Sequence, residues 1–298
     1  MDYLPVGCYG KVPSWREYIE HEVRFPVSRD MRRWLRDGFE GARLTEDGGD
    51  SGFEEGVGRR FLVAPADSGE WLAGVVGPSE DSAGREKLFA VFVHLPKRRF
   101  VKPFHLLPAA LVPVWSALED TRAQLIETLS KDAFDEAIRS SRIALPDDPG
   151  SLRSDHERHL AGSADVLFRN GRGGPDALAG GVPEMIARIK ESKKQPVAIR
   201  LPVSSESQDA AADVGFWIEF VNRQFLWKTF QPSVFLSRQA GEDPDAVLVY
   251  GDLEVELYPD LLGDEPGNGV LNPCASGDGG SSAVPDGATY EAVLKKKY

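Results

Sequence analysis

The sequence predicts an α/β protein with a partly antiparallel sheet. Three observations predict it. Short runs rich in Val, Phe and Trp at residues 61–64, 71–76 and 88–94 follow one another between turn residues, as neighbouring antiparallel strands do. Further apolar runs at 197–203, 234–236 and 246–250 recur among helical patterns. With 298 residues, 41% of them hydrophobic, the chain is long and apolar enough for a substantial core.

Residues 3–12 are short, apolar and aromatic, and Pro13 ends the run by removing a ladder donor, so this is the first strand. Between residues 15 and 39, the positions Trp15, Tyr18, Ile19, Val23, Met31, Trp34, Leu35 and Phe39 contain three- and four-residue spacings interrupted by Pro26. That pattern predicts two short helices around a proline break. Residues 46–58 are rich in Gly, Asp and Glu and form a surface loop. The three strands at 61–94 follow. Beyond Pro113, Val114, Leu118, Leu125 and Leu129 share one helical face, which predicts a helix to about residue 130; Phe134, Ala137 and Ile138 begin another.

After Pro146 the chain turns polar and glycine-rich, with helical pieces near 155–168 and 183–193. This reads as a subdomain junction. A helix over 210–225 carries Phe216, Trp217, Phe220 and Phe225, a stripe that faces inward when it covers a sheet. From residue 263 the composition is Gly, Ser, Pro and Asp before a basic end. The expected organisation is an N-terminal α/β region over 1–145, a second α/β subdomain over 146–262 packed on it, and a flexible tail over 263–298.

Lys and Arg number 35 against 47 Asp and Glu, a formal net charge of −12. Such a surface is solvated and repels a phosphate backbone, so no nucleic-acid partner is expected. Cys8 and Cys274 lie near opposite ends, neither with a Cys or His at metal spacing, which fits a reducing compartment and predicts neither disulfide nor zinc site. The opening Met1-Asp2-Tyr3-Leu4-Pro5 lacks the basic and apolar regions of a secretory signal. The most apolar run, 88–95, is far shorter than a membrane span. The expected location is cytoplasmic, with no membrane insertion.

Catalytic signatures are incomplete. Around Ser79 the run Gly77-Pro78-Ser79-Glu80-Asp81 lacks the second glycine of a nucleophile elbow. His156 and His159 are three apart, whereas a zincin helix needs four, so a solvated helix face is expected there and no metal site. Gly171-Arg172-Gly173-Gly174 lacks the lysine and hydroxyl of a phosphate loop, and Asp278-Gly279-Gly280 lacks companion carboxylates. No cofactor and no catalytic residue is predicted.

Two segments carry more information. In Gly7-Cys8-Tyr9-Gly10-Lys11-Val12-Pro13, two glycines permit close backbone approach as the strand ends at proline. In Pro78-Ser79-Glu80-Asp81-Ser82-Ala83-Gly84-Arg85, Asp81 or Ser82 can bond the turn backbone, Gly84 can turn left-handed, and Arg85 can return donors to Asp81. A loop built this way is rigid and presented to solvent.

These segments resemble the TagF (ImpM) family, accessory proteins of bacterial type VI secretion systems. Gly7, Tyr9, Gly10, Lys11, Val12 and Pro13 match its G-x-[YF]-G-K-[LV]-P opening, and Pro78, Ser79, Asp81, Gly84 and Arg85 match its P-S-x-D-x-x-G-R. Trp34-Leu35 resembles its Trp-Leu pair. The likeness covers roughly the first hundred residues and thins beyond 141. Departures mark a divergent branch: Arg16-Glu17-Tyr18 stands where Gly-Asp-Phe is usual, Met31 replaces a Trp, and Glu86-Lys87-Leu88 lacks the usual Phe-Pro.

The resemblance implies a three-layer α-β-α sandwich with a mixed, partly antiparallel sheet, a cytoplasmic location and a non-enzymatic, post-translational regulatory role, exerted by binding a forkhead-associated scaffold or another secretion component. It carries over Tyr9, Lys11, Pro13, Trp34, Ser79, Asp81, Gly84 and Arg85 as signature positions, structural or contacting. Two alternatives stay open: an enzyme with a site gathered from scattered residues such as Asp81, Arg85 and His94, and a chaperone-like component docking through an exposed aromatic helix at 216–225.

Overall fold

The computed structural model describes residues 2–45, 58–162, 164, 196–205, 207–225, 231–237, 244–262, 270–271 and 289–295. The expected loop at 46–57, the helix at 183–193, the glycine run at 171–174 and the turn at 278–280 lie outside them.

The strands are β1 (Tyr3–Pro5), β2 (Gly7–Gly10), β3 (Ile19–His21), β4 (Arg59–Val63), β5 (Glu70–Glu80), β6 (Glu86–Pro96), β7 (Arg142–Ala144), β8 (Val197–Pro202), β9 (Ser233–Leu236), β10 (Asp245–Tyr250) and β11 (Val270–Leu271). All but β1 and β7 join one sheet in the order β11-β8-β10-β9-β4-β5-β6-β2-β3. Its pairs are antiparallel except β11 on β8, so the sheet is mixed. The β4–β9 pair, Phe61 opposite Phe235, carries the sheet without a break from the N-terminal half into the strands beyond residue 146.

The helices are α1 (Pro26–Thr45), α2 (Lys97–Phe100), α3 (Leu107–Ala110), α4 (Val112–Ile126), α5 (Lys131–Ser140), α6 (Arg153–Leu160), α7 (Ser207–Phe225), α8 (Tyr258–Leu262) and α9 (Tyr290–Lys295). Strand alternation distributes them on two faces. Phe61, Leu72, Ala90, Phe92, Phe235 and Val247 pack with Met31, Trp34, Leu35 and Phe39 of α1 and Leu261 of α8. Leu62, Ala73, Phe89, Val91, Ile199 and Leu248 pack with Trp115 and Leu118 of α4, Phe134 of α5 and Phe216 and Phe220 of α7. Two helix anchors cross to the sheet side: Trp115 Nε1 donates to the Phe61 carbonyl at 3.1 Å and Trp217 Nε1 to that of Pro202 at 2.8 Å. Burying an indole body while its N–H finds an acceptor is the arrangement that makes Trp stable in a core.

Three local expectations are corrected. Residues 15–25 hold β3 and turns instead of a helix, because Ile19 and Glu20 pair with Gly10 and Tyr9; Pro26 does not break a helix but starts one, where its missing N–H costs nothing. Leu129 lies past the end of α4 and is 95% exposed, so it is not on that helix's buried face. Within the tail, Val270–Leu271 pairs with β8, and Tyr290, Val293 and Leu294 of α9 are buried, since their three- and four-residue spacing makes an apolar stripe. These pieces of 263–298 are therefore built into the fold.

Candidate functional site

The two signature segments meet at one end of the sheet. β2 pairs with β6, with Gly10 opposite Phe89, and β5 pairs with β6 down to Glu80 opposite Glu86. Pro78, Ser79 and Glu80 are thus strand residues, and the turn proper is 81–85. Its backbone closes through Asp81 N to the Arg85 carbonyl at 3.0 Å and Gly84 N to the Asp81 carbonyl at 2.9 Å. Gly84 has φ +68°, a left-handed conformation that favours glycine. At the other segment an added Cβ on Gly10, which has φ +136°, would lie 2.1 Å from the Leu88 carbonyl oxygen.

Asp81 is the hub. Its Oδ1 accepts from the backbone N–H of Ala83 (2.9 Å) and Arg85 (3.2 Å), and its Oδ2 accepts from Arg85 Nε (2.9 Å). Arg85 Nη2 lies 2.7 Å and Lys11 Nζ 3.6 Å from the same Oδ2. The Arg85 side-chain bond, helped by the two N–H donors, holds the carboxyl well below the usual range although burial opposes it; the same bond raises the guanidinium. Lys11 also lies over the Tyr18 ring at 4.9 Å, and Tyr18 stacks on Tyr9 with centroids 5.5 Å apart. Burial, with Tyr18 adding, pushes the Tyr9 phenol upward.

Tyr9, Lys11, Ser79, Asp81, Gly84 and Arg85 are therefore one cluster. Tyr9, Lys11, Ser79 and Asp81 are buried, whereas the Arg85 side chain is 58% exposed and Tyr18 and Pro13 reach solvent. Trp34 is elsewhere: it packs on Phe235 and Tyr258, four strands from β2, and its Nε1 donates to the Glu254 carbonyl at 2.8 Å. A carboxylate held in its ionised form by this many donors is a poor proton acceptor, and the buried Ser79 Oγ has no hydrogen-bond partner. The cluster stiffens a hairpin and displays a cation and an aromatic ring beside it.

Asp81 and Arg85 do not converge with His94 on one site. His94 pairs with Leu72, eight residues along β6 from Glu86, or about 27 Å at a strand's rise. Its Nε2 faces the Glu22 carbonyl at 3.0 Å. The aromatic helix is equally unavailable for docking, since Phe216, Trp217 and Phe220 are fully or almost fully buried.

Arg122 escaped the sequence reading. From α4 its Nε donates to the Phe89 carbonyl at 3.0 Å and its Nη2 to that of Pro78, tying β5 and β6 together behind the hairpin. Burial pulls its pKa down to about 10. Its signal was positional: it lies four residues after Leu118 and three before Leu125, on the apolar face of the helix.

A second polar constellation departs from the solvated face expected at α6. His156 and His159 turn inward, to Glu219 Oε2 (3.0 Å) and Asp213 Oδ1 (2.9 Å) of α7. Tyr290 donates to Asp213 Oδ1 (2.7 Å), and Ser204 supplies its N–H and hydroxyl to Oδ2 (2.7 and 2.6 Å). His105, whose pKa burial lowers, stands 5.1 Å from the His156 ring. Burial would raise Glu219, but the bonds from His156 and Arg223 outweigh it and hold the carboxyl down to about 2.

The fold and the hairpin cluster define an α/β protein that presents a braced, charged turn at the end of its sheet. Residues 7–140 match the TagF N-terminal domain family, type VI secretion system-associated. The match spans both signature segments, Trp34 and Arg122. The crystal structure of PA0076 from Pseudomonas aeruginosa PAO1 is similar over 88% of this chain and 96% of that chain, with 16% identity and a TM-score of 0.48. None of the curated proteins matches the chain. Among the described residues no helix is long and apolar enough to cross a membrane.

Proposed function

We propose that this chain is a non-catalytic regulatory adaptor of a type VI secretion system, acting in the cytoplasm after translation by binding a protein component of the apparatus, a forkhead-associated scaffold in the first instance. One observation carries the reading: the two family segments, separated by more than sixty residues, converge on a single buried carboxylate that braces an exposed hairpin. Arg85 held on Asp81 and Lys11 held over Tyr18 favour a surface that binds without reorganising. Regulation by such a surface requires a partner state that fits it better than another, because equal affinity shifts no equilibrium.

The test is affinity purification of the tagged full chain from its own organism, read by mass spectrometry, beside Arg85→Glu and Lys11→Ala variants whose fold is verified by circular dichroism. Co-purification of a forkhead-associated or other secretion component, lost with folded Arg85→Glu, is the expected result. A folded wild-type bait that brings down no secretion component overturns it.

A further inference from the structure

We propose that His105, His156 and Glu219 form a binding site for a divalent transition-metal ion of the zinc class, with a fourth position open to solvent. The proposal is independent of the adaptor reading, and its residues are remote in sequence from the hairpin.

The three donors come from separate elements: His105 from the single turn Phe104–Leu106, His156 from α6 and Glu219 from α7. One ligand atom from each lies within 4.8 Å of the other two. A tetrahedral ion with bonds near 2.0–2.1 Å separates its ligand atoms by about 3.3 Å. The His156 Nε2 to Glu219 Oε2 distance of 3.0 Å is already close to that spacing, so a small shift of the His105 ring completes a three-sided cage. Two imidazoles and one carboxylate suit zinc and its neighbours, whereas magnesium and calcium prefer oxygen alone.

The surroundings are built for this proximity. Gly215 sits one turn before Glu219 on α7, and an added Cβ there would lie 2.5 Å from the His105 carbonyl oxygen and 3.7 Å from His156 Cε1. The absence of a side chain at 215 is what lets α7 approach both histidines. Arg223 pairs with Glu219 Oε1, leaving Oε2 toward His156, which is the kind of outer bond that orients a ligating carboxylate. Its positive charge weakens attraction for a cation; on the adjoining cavity wall Asp155 is paired with Arg158, which leaves Asp209 to act in the opposite sense. That cavity, about 470 Å³ and lined by both His105 and His156, supplies room for a water as fourth ligand. In sequence His156 and His159 have the wrong spacing for a shared ion; the fold solves this by giving His159 to Asp213 and pairing His156 with His105 instead.

The experiment uses the full chain carrying a tag without histidine, stripped with chelator and titrated with Co²⁺ by visible spectroscopy and with Zn²⁺ by calorimetry. The expected result is a single equivalent of Zn²⁺, a Co²⁺ band of tetrahedral type, no response to Mg²⁺, and at least a tenfold loss of affinity in His105→Ala and Glu219→Gln. His21→Ala is the control and retains binding. Where Glu219→Gln fails to fold, His105→Ala decides alone, its fold verified by circular dichroism. Absence of Zn²⁺ and Co²⁺ binding by folded wild type, or binding that survives His105→Ala, overturns the proposal. Neither outcome bears on which protein the hairpin binds.

Discussion

Arg122 offers the sharpest test of how the hairpin is held. Replacing it with Met keeps most of the buried stem and removes the guanidinium. Two charge-assisted hydrogen bonds are lost, to the carbonyls of Phe89 and Pro78. Bonds of this kind contribute about 1.5–3 kcal/mol each, so the loss is roughly 3–6 kcal/mol. Against it stands relief of the buried charge: a pKa pulled from 12.5 to about 10 corresponds to about 3 kcal/mol held against the charged form. The net expectation is a destabilisation of about 0–3 kcal/mol, the difference of two opposing terms of similar size. Urea denaturation measures it as a lower midpoint with unchanged slope. Amide hydrogen exchange supplies the local reading, with faster exchange at Asp81 and Gly84, whose N–H groups close the turn. Arg122→Lys keeps the charge without the fork and recovers at most one bond. A stable Arg122→Met protein with unchanged exchange at both amides would refute the claim that α4 braces the hairpin.

Two further outcomes follow from the packing and the charges. Phe134 is fully buried and meets Trp15 and Phe89 edge-on at 6.0 and 6.2 Å, so Phe134→Ala should cost about 3–5 kcal/mol in denaturant titration; under 1 kcal/mol would mean that α5 does not pin this end of the sheet. Stability should fall on acidification in two stages. Burial lowers His94 and His105 below their ordinary 6.5, so the unfolded chain takes the proton first: the stability is full above about 6.5 and lost as pH falls through the lower folded values, a loss that His94→Gln reduces. Glu219, held down to about 2 against an ordinary 4.5, adds a second loss below 4.5 that is complete near 2. Denaturant midpoints from pH 8 to pH 3 check both, and a midpoint flat or rising on acidification contradicts the assignment.

What the sequence determined alone was whatever short-range chemistry encodes. The strands at 61–64, 71–76 and 88–94, and the helix after Pro113, follow from periodicity and composition within a dozen residues. The Asp81–Arg85 turn is equally local, since a carboxylate, two backbone N–H groups and a guanidinium four residues on close on themselves. The resemblance to the TagF family was likewise legible in two such local segments. The tertiary structure decided everything that depends on which elements become neighbours. Sheet register, set by burial on both faces, delivers Lys11 to Asp81 and converts residues 19–21 from an apparent helix to an edge strand. It also separates His94 from Asp81 along one continuous strand. Arg122 on an apolar helical stripe gained a role only when α4 lay across the Pro78 and Phe89 carbonyls. The histidines of α6, unpaired on paper, found His105, Asp213 and Glu219 because α7 packs closely enough at Gly215 to bring them there. Side-chain partners more than one loop apart are selected by the packing of the whole core, and no window of sequence contains that choice.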